Sequence, residues 1–472
     1  MRKLIVVFVF FVLLIVIMVG CAPPTFSPAI KLNVAPGDNI TDVSIDIDQN
    51  GNKHIVGIKD NQVVYFRGKG EPGYKFTIGW GYLVVGTDTS SWEQHQPEIA
   101  VFDNGTAHIV WWEHHGDPTK KIACHYEVPP VINPFELIYC HPLDDPMYTS
   151  GLVRVTAKDD TAYAVYDRLH SSGYVDSVWY KKIDEMTTTG LIVSYSVVTE
   201  EAFIYSLDLA IDNSKKLHLA YIDQATYSPN PRLYYRSNAT TNMDGSMSQI
   251  WAIEFGAPGL KNNVKPSIHF YNDGSNTFVK IASVWENSLN QMIYVDSCNI
   301  NGCSDKTNIS PTLSNIDWNT SSKILEVKGL GTLNTYTLSF IAYNDLSPIY
   351  QVWYWVLPFS GNPTQVTDTN YAKYQLNMVD SLIPIIGYLE RWEDHGLVAS
   401  FSDRVSIYDV NYGVREVKTS VCPGAYTNVS SDMASYVDIM ADTLPVAGVW
   451  NVCSTTFFSN NAFLVDLPLI MK

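Results

Sequence analysis

Apolar and polar residues alternate along most of the chain, in short stretches that end at Asp, Asn or Gly. The clearest example is Gln96–Tyr126, which predicts a strand, a tight polar turn, a second strand, a polar loop and a third strand. A period of two is typical of strands with one buried face. Asp and Gly suit tight turns because they tolerate positive φ or bond their own backbone. The pattern predicts an all-β fold.

Diverged copies of this stretch recur down the chain, which indicates a repeat architecture. From Asp48 to Asp442 the copies are about 56 residues apart, enough for a fourth strand and loops. Four short antiparallel strands repeated eight times predict an eight-bladed β-propeller. Seven blades is the alternative, because the sixth and seventh copies are the weakest. The copies are Val43–Phe66, Gln96–Tyr126, Leu152–Ile183, Leu207–Asn238, Pro266–Ser297, Ile324–Trp355, Leu382–Val410 and Tyr436–Leu467.

The last copy supplies three strands before the chain ends, so its sheet needs an outer strand from elsewhere. The apolar segment Ala29–Val34 precedes the first copy and has no sheet of its own. We predict that it pairs with the last blade and closes the ring, which would leave few exposed sheet edges. Residues 29–472 are then a single propeller domain.

The N-terminus has the pattern of an export signal. Arg2 and Lys3 precede an apolar run, Leu4–Val19, followed by Gly20 and Cys21. The Met-Val-Gly-Cys sequence resembles the lipobox of bacterial lipoproteins. That resemblance implies cleavage of a signal peptide, residues 1–20, and lipid on Cys21, with residues 21–28 as the lipidated cysteine and its tether. The alternative is an uncleaved membrane anchor. We expect an exported lipoprotein, held on a membrane at the cell surface or in the periplasm.

Charge excludes one class of partner. Removing Arg2 and Lys3 with the signal peptide takes the formal net charge from −17 to −19. An acidic surface disfavours nucleic acid, and spread charge of this kind keeps a protein soluble. We expect a monomer whose partner is a glycan or an envelope protein.

Six cysteines follow Cys21, an even number suited to disulfides in an oxidising compartment. Sequence alone allows about 15 pairings. The repeat assignment favours Cys124–Cys140, Cys298–Cys303 and Cys422–Cys453. Metal ligation is the alternative, but the chain has no Cys-x-x-Cys pair and no Cys/His cluster. We expect no metal site and no cofactor, apart from a structural cation such as calcium.

Two copies carry a recognisable repeat pattern, an apolar strand, an Asp-containing turn and a His-rich apolar strand. Phe102–Trp112 and Ile211–Tyr221 show it best, and it resembles the repeats of sialidase-like (BNR-type) propellers in exported bacterial proteins. The resemblance implies a propeller. True sialidases also carry a Ser-x-Asp-x-Gly-x-Thr-Trp turn motif, absent here, and three arginines that grip a carboxylate. Only Arg154 lies at the start of a first strand, so sialidase activity is poorly supported.

The segment after each second strand is predicted to be a loop on one face of the propeller, and seven of the eight copies place a carboxylate there. An acidic rim of this kind would bind a cation or the hydroxyls of a sugar. The simpler interpretation is that loops are polar because they meet water. The positions are Lys59/Asp60, Glu113/His114, Asp167/Arg168, Asp223/Gln224, Glu286/Asn287, Asn344/Asp345, Ser402/Asp403 and Asn451.

The densest local cluster is Trp111–Asp117, where aromatic rings, carboxylates and imidazoles share one predicted loop. A similar cluster, Glu390–His395, is predicted to lie on the opposite face. Glu113, Asp167 and Glu286 are the candidate acids or bases for glycan hydrolysis. The candidate ligand-binding residues are Trp92, Glu93, His95, Trp112, Glu113, His114, His115, Asp117, Asp167, Arg168, Asp223, Glu286, Asp345 and Asp403.

His54, His108 and His218 recur at one place in three copies, so we expect a structural role for them. The favoured function is a non-catalytic propeller that binds a glycan or protein at the cell envelope. The alternative is a sialidase-like glycoside hydrolase or lyase acting on extracellular glycans. An assembly scaffold is a third class, which a large exposed apolar patch would indicate.

Overall fold

The computed structural model describes 30 segments of the chain, and all of its regular secondary structure is β-strand. Among the described residues there is no helix long and apolar enough to cross a membrane. The predicted signal peptide, Cys21 and the tether lie outside them. The described segments are residues 30–31, 40–68, 81–85, 92–115, 121–130, 140–143, 150, 152–169, 175–183, 188–194, 202–225, 231–241, 247–253, 259–260, 265–272, 277–286, 291–299, 301–303, 307–308, 323–332, 335–344, 347–356, 363–367, 372–379, 385–394, 400–409, 413–423, 430–435, 443–452 and 455–464.

The strands follow one another in chain order along the whole described sequence. The first half comprises β1 (Ile30–Lys31), β2 (Thr41–Ile47), β3 (Lys53–Lys59), β4 (Gln62–Gly68), β5 (Gly81–Val85), β6 (Trp92–Val101), β7 (Ala107–His115), β8 (Lys121–Val128), β9 (His141–Pro142), β10 (Val153–Lys158), β11 (Thr161–Leu169), β12 (Val175–Lys182), β13 (Thr188–Ser194), β14 (Ala202–Ile211), β15 (Leu217–Ala225), β16 (Arg232–Thr241) and β17 (Met247–Ile253).

The second half continues in the same way. It comprises β18 (Gly259–Leu260), β19 (Ser267–Asn272), β20 (Thr277–Glu286), β21 (Gln291–Asn299), β22 (Gly302–Cys303), β23 (Thr307–Asn308), β24 (Lys323–Thr332), β25 (Thr335–Asn344), β26 (Ser347–Val356), β27 (Thr364–Gln365), β28 (Ala372–Val379), β29 (Ile385–Asp394), β30 (Ser400–Asp409), β31 (Gly413–Pro423), β32 (Ser430–Ser435), β33 (Thr443–Val452) and β34 (Thr455–Leu464).

These strands pair antiparallel with their sequence neighbours and form successive units. Units one to four are β2–β5, β6–β9, β10–β13 and β14–β17, and the third and fourth are joined by a single pair, Val175 with Ala202. Units five to seven are β18–β23, β24–β27 and β28–β31. The last unit is β32–β34 together with β1. This order is that of a meander repeated along the chain, as the sequence predicted.

The N-terminal strand lies in the last unit. In β1, Ile30 is opposite Phe458 and Lys31 is opposite Phe457 of β34. This is the partner that the sequence predicted for Ala29–Val34. In addition, β2 of the first unit lies beside β32 and β33 of the last.

The seventh copy was misplaced in the sequence analysis. Leu382–Val410 was expected to hold the first three strands, but it holds β29 and β30, the second and third. The first strand is β28, which lies earlier. Its register shifts between Tyr374 and Leu376, so a β-bulge interrupts the alternation that marks a strand. Asp403 therefore lies inside β30 rather than in a loop.

The hydrophobic core lies between consecutive units rather than inside any one of them. Apolar side chains of two adjacent sheets meet face to face, as in any packing of sheet on sheet. Trp111 and Ile109 of unit two, for example, pack against Val56 and Tyr65 of unit one, and all four are fully buried. Further clusters join units two to three, three to four, four to five, five to six and six to seven.

Polar side chains of the first strands also join one unit to the next. Asp46 Oδ2 accepts a hydrogen bond of 2.7 Å from the backbone N–H of Val101. Glu98 Oε2 accepts from Val155 N–H at 2.9 Å. Two further contacts of this kind run from Ile268 N–H to Asp208 Oδ2 at 3.0 Å and from Gly329 N–H to Ser267 Oγ at 2.9 Å. Each bond satisfies a backbone N–H of a first strand on the side that faces away from its own sheet, where no neighbouring strand can accept it.

Two of the three predicted disulfides are present, Cys124–Cys140 and Cys298–Cys303. The first joins β8 to the segment just before β9, and the second closes the turn between β21 and β22. Cys422 lies in β31, but Cys453 is outside the described residues, so the third pairing stays a prediction.

The first hairpins of units one and two end in glycines with positive φ, Gly51 at +74° and Gly105 at +87°. Their surroundings differ. A methyl group on Gly51 would meet nothing within 4 Å, whereas on Gly105 it would lie 2.8 Å from Asp48 Oδ2. Gly105 is thus held against the neighbouring unit.

We predict that Gly105→Ala destabilises the protein more than Gly51→Ala does. Both substitutions impose an unfavourable φ on a residue with a Cβ, which costs about 1–2 kcal/mol. Only Gly105→Ala also forces a contact with Asp48. The measurement is the urea midpoint of unfolding for both variants and the parent protein. Equal shifts for the two variants would contradict the inter-unit contact.

Candidate functional site

The end of the second sheet holds the residues on which the sequence analysis concentrated. In the β6–β7 pair, Glu93 is opposite His114, Gln94 is opposite Glu113 and His95 is opposite Trp112. Successive side chains of a strand point to opposite faces. Glu93, His95, Trp112 and His114 therefore share one face, and Gln94 and Glu113 share the other.

Glu113 belongs to the buried face and is only 1% exposed. Its Oε2 accepts hydrogen bonds from Trp111 Nε1 and Gln94 Nε2, both at 2.9 Å. The Gln94 Oε1 atom accepts in turn from Val63 N–H of the first unit at 2.6 Å. The prediction that Glu113 lies in a loop was wrong, whereas its role in ligand binding or as acid or base stays a prediction. The second strand runs on to His115, so alternation turns Glu113 inward, where it joins two units.

The opposite face carries a partly exposed cluster, which we call the Glu93 cluster: the exposed Glu93 with the half-buried His95, Trp112 and His114. The Glu93 carboxylate Oε2 lies 3.3 Å from His114 Nε2 and 3.6 Å from His95 Nε2. The His95 ring stacks on the Trp112 ring with 4.1 Å between centroids. The Lys121 ammonium lies 4.3 Å from the Trp112 ring centroid. Four of the candidate ligand-binding residues therefore lie together on this face, and their role in binding a ligand stays a prediction.

A β-bulge in β6 follows directly after His95, the last residue of β6 that belongs to this cluster. The register shifts between His95 and Glu98, and Gln96 has a φ of +49°. Pro97 cannot donate a ladder hydrogen bond, so a bulge is one of the few places where a strand tolerates it. Desolvation lowers the pKa of the His95 imidazole, and the nearby His114 lowers it further, whereas Glu93 and Asp42 raise it.

Asp167 was the second candidate acid or base, and it too is buried. It lies within β11 and is 4% exposed. Its Oδ1 accepts hydrogen bonds from Ser150 Oγ and from Leu152 N–H, both at 2.9 Å. The next residue, Arg168, lies with its guanidinium carbon 4.2 Å from the Trp179 ring centroid. The prediction of Asp167 as an exposed rim residue was wrong, because its carboxylate is hydrogen-bonded to the residues that precede β10, the first strand of its own unit.

The other predicted rim positions differ from one another, and Asp60 lies in the exposed turn after β3, as predicted. Asp223 lies in β15, opposite Arg232, and is 3% exposed. Trp92, His115 and Glu286 are terminal residues of β6, β7 and β20, and their side chains are outside the described part of the chain. Asp117 and Asp345 lie outside the described residues altogether.

The second polar cluster, Glu390–Asp394, was assigned to the wrong face. It forms the end of β29, the second strand of its unit, and so occupies the position that Glu113 and His114 occupy in β7. The cause is the bulge in β28 that hid the first strand. His395 lies outside the described residues.

Two neighbouring cavities lie between the first strands of units two to five, and the sequence analysis did not identify them. The larger, of about 350 Å³, is lined by Thr156, Lys158, Leu209, Ala210, Ile211, Ile268, His269 and Phe270. The smaller, of about 90 Å³, is lined by Glu98, Arg154, Val155, Thr156, Leu207, Asp208, Leu209 and Lys265.

The smaller cavity has alternating charges. Arg154 Nε lies 3.6 Å from Glu98 Oε1, and Lys265 Nζ lies 3.0 Å from Asp208 Oδ1. Burial raises the pKa of Asp208, but Lys265, Lys328 and the Ile268 amide outweigh it, so the pKa is lowered overall. The sequence does mark these two carboxylates. Glu98 is opposite Val110, two residues after His108, and Asp208 is opposite Ala220, two residues after His218. The two carboxylates therefore occupy the same position in their units.

The repeated histidines have the expected structural role in two of the three units. His54 Nδ1 is hydrogen-bonded to the Tyr65 hydroxyl at 2.7 Å, and His218 Nδ1 to the Tyr235 hydroxyl at 2.7 Å. The other ring nitrogen faces an Asp of the first hairpin in each case, Asp48 and Asp212. Unit two differs, because His125 replaces the tyrosine and lies 3.2 Å from His108.

A scan against protein-family models found no match, and a search of curated proteins found none either. Solved structures gave weak similarities. The chain is similar to the Dos1 propeller, at 10% sequence identity and a TM-score of 0.42. The match covers 92% of this chain and 95% of that chain. It is also similar to an α-L-arabinanase from Penicillium chrysogenum, at 9% sequence identity and a TM-score of 0.36. That match covers 57% of this chain and 95% of the arabinanase chain.

The Aleuria aurantia lectin, a six-bladed β-propeller, shows 9% identity, 72% and 97% coverage and a TM-score of 0.35. All these TM-scores are below 0.5, so neither the activity nor the ligand of any of these proteins is transferred to this chain. The functional argument rests on the chain's own residues.

The His108–His125 pair predicts a pH dependence of stability. Desolvation lowers the pKa of His108 to about 4, and desolvation together with His108 lowers that of His125 to about 3. In the unfolded chain both titrate near 6.5. Below about pH 6.5 the unfolded state binds protons that the folded state does not, so stability falls as pH drops towards 4.

We predict that His125→Tyr, which restores the residue of units one and four, reduces this slope by up to about 1.4 kcal/mol per pH unit. The measurement is the urea midpoint between pH 7 and pH 4. The reference is the parent protein, because His141, the exposed histidine of the same sheet, lies opposite His125 and itself lowers the His125 pKa. A variant as acid-sensitive as the parent protein would show that the pair does not titrate as stated.

Proposed function

We propose that the chain is an exported, lipid-anchored, eight-bladed β-propeller. It binds a glycan between the first strands of its units and does not catalyse a reaction. Each of the eight strand units would be one blade. The pairing of β1 with β34 supports closure of the ring, as does the position of β2 beside β32 and β33. Residues 29–472 would form the single domain, present as a monomer.

The observation that carries the proposal is the cavity of about 350 Å³ between units three, four and five. Its size is within the range of small-ligand sites. Thr156, Lys158 and His269 supply hydrogen-bonding groups, and the half-buried Phe270 supplies an aromatic ring. Hydroxyl groups and apolar ring faces of a sugar need this combination of polar and aromatic partners.

The carboxylates argue against hydrolysis. Glycoside hydrolysis requires a pair of carboxyl groups, one of them with a raised pKa so that it can donate a proton. Glu113 and Asp167 are buried and engaged in hydrogen bonds within the scaffold. Asp208 has a lowered pKa and accepts from Ile268 N–H. None of these three groups is suited to act as a general acid.

One observation favours the hydrolase or lyase alternative. Glu98 and Asp208 both line the smaller cavity, with Arg154 and Lys265 between them. A sugar that displaced these cations would meet two carboxylates. We keep this alternative because turnover distinguishes it directly from binding.

We predict that the full-length protein in detergent binds a glycan on an array, and that Lys158→Met weakens this binding 2- to 10-fold. One lost hydrogen bond is worth about 0.5–1.5 kcal/mol, which corresponds to that factor. Phe270→Ala should weaken it further. The matched control is Lys215→Met, since Lys215 also makes a hydrogen bond to a neighbouring hairpin but does not line the cavity.

Three outcomes decide among the hypotheses. Binding that depends on Lys158 and Phe270, without turnover, supports the proposal. Cleavage of a bound glycan that Glu98→Gln or Asp208→Asn abolishes would replace it with the enzyme alternative. A full-length protein that binds no glycan on the array would overturn it and favour the scaffold hypothesis.

The proposed location rests on the sequence of the first 28 residues and on the disulfides. Structural disulfides form and persist in oxidising compartments. We predict that Cys21→Ser removes incorporation of labelled fatty acid and leaves the apolar run Leu4–Val19 uncleaved. The same variant should leave the urea midpoint unchanged. Lipid labelling that persists in the variant would contradict the assignment of Cys21.

A further inference from the structure

We propose that Glu93, His95 and His114 form a binding site for a divalent transition-metal ion of the zinc class. These residues belong to the Glu93 cluster and lie on one face of the β6–β7 pair. The site is separate from the inner-strand cavities of the proposed glycan site, whose lining residues do not include them. The inference therefore does not depend on the proposed function.

The spacing of the donor atoms fits one ion. All three residues offer a ligand atom within 4.8 Å of the other two. The Glu93 Oε2 atom lies 3.3 Å from His114 Nε2 and 3.6 Å from His95 Nε2. Ligands at about 2.0–2.1 Å from a tetrahedral zinc ion are about 3.3–3.4 Å from one another. Two of the three edges of the ligand triangle are thus close to the required length.

The donors are also available. His95 Nε2 is buried at the atomic level and has no hydrogen-bond partner. At 3.6 Å and 3.3 Å, the contacts of Glu93 with the two imidazoles are longer than charge-assisted hydrogen bonds, which are typically about 2.7–2.9 Å. The Glu93 side chain is 48% exposed, so an ion can reach it from solvent.

The surroundings fix the imidazoles in place. The His95 ring is stacked on Trp112 and lies nearly parallel to the His114 ring, 5.6 Å between centroids. Beneath the cluster, the Gln94–Glu113 hydrogen bond ties the same two strands together on the buried face. Both strands are therefore held, and the three ligands need little rearrangement to bind.

The donor set indicates the class of ion. Two imidazoles and one carboxylate suit zinc and other late first-row ions, whereas calcium and magnesium prefer oxygen ligands throughout. Three protein ligands leave at least one coordination position for water or another ligand. The other group of potential donors in the described residues, Glu113 with Cys124 and Cys140, is not a site of this kind because the two cysteines form a disulfide.

The test is isothermal titration of the full-length protein with zinc after removal of metal by a chelator, under non-reducing conditions. We expect one ion per chain at this site for the parent protein. His95→Gln and His114→Gln should each lose that ion. His141→Gln is the matched control, because it removes an exposed histidine of the same sheet and should retain binding. Cobalt should give an absorption spectrum of nitrogen and oxygen ligation, without thiolate charge-transfer bands.

A folding control keeps the result interpretable. The unfolding temperature should rise with zinc for the parent protein and His141→Gln, and should not rise for either ligand variant. Absence of saturable zinc binding by the parent protein at micromolar concentrations would overturn the proposal. So would His95→Gln and His114→Gln proteins that bind zinc as tightly as the parent.

Discussion

Hydrogen bonds from one unit's first-strand amides to side chains of the preceding unit set the spacing of neighbouring units wherever the structure describes them. A first strand pairs on one side only, so half of its backbone donors point away from its own sheet. Among the described residues, a side chain of the preceding unit accepts such a donor in four places, and three of those acceptors are carboxylates. Charged acceptors bond more strongly than neutral ones. The contact therefore fixes the spacing between units while the apolar faces fill the space behind it.

This arrangement decides which acidic residues remain for function. Asp46, Glu98 and Asp208 accept hydrogen bonds at the first strands of their units. Glu113 and Asp167 accept hydrogen bonds further along their sheets. A chain with 48 acidic residues would be expected to offer several free carboxylates in its cavities. Instead, two of the three candidate catalytic carboxylates, Glu113 and Asp167, are described by the structure, and both support the scaffold.

The sequence predicted the strands, their antiparallel order, the partner of the N-terminal segment and two disulfides, because each depends on local alternation or on spacing. It failed at strand ends. Glu113 and Asp167 were placed in loops because polar residues after an apolar run usually mark a turn. Their strands continue past them, and burial is set by hydrogen-bond partners such as Gln94 and Ser150 that lie far away in sequence. The same limit concealed the inner cavities, since alternation does not reveal which first strands become neighbours.

The difference between units one and two explains why the Glu93 cluster forms in the second unit of this pair. In unit one, Asp60 and Asn61, both with positive φ, close a tight hairpin immediately after Lys59. Counted from His54 and His108, Lys59 corresponds to Glu113, so β7 extends two residues beyond the end of β3. That tight hairpin accepts Gln94 N–H at Asn61 O and holds the Gln94 side chain through Val63. The extension is thereby anchored on its inner face, and alternation leaves Glu93, His95 and His114 together on the outer one.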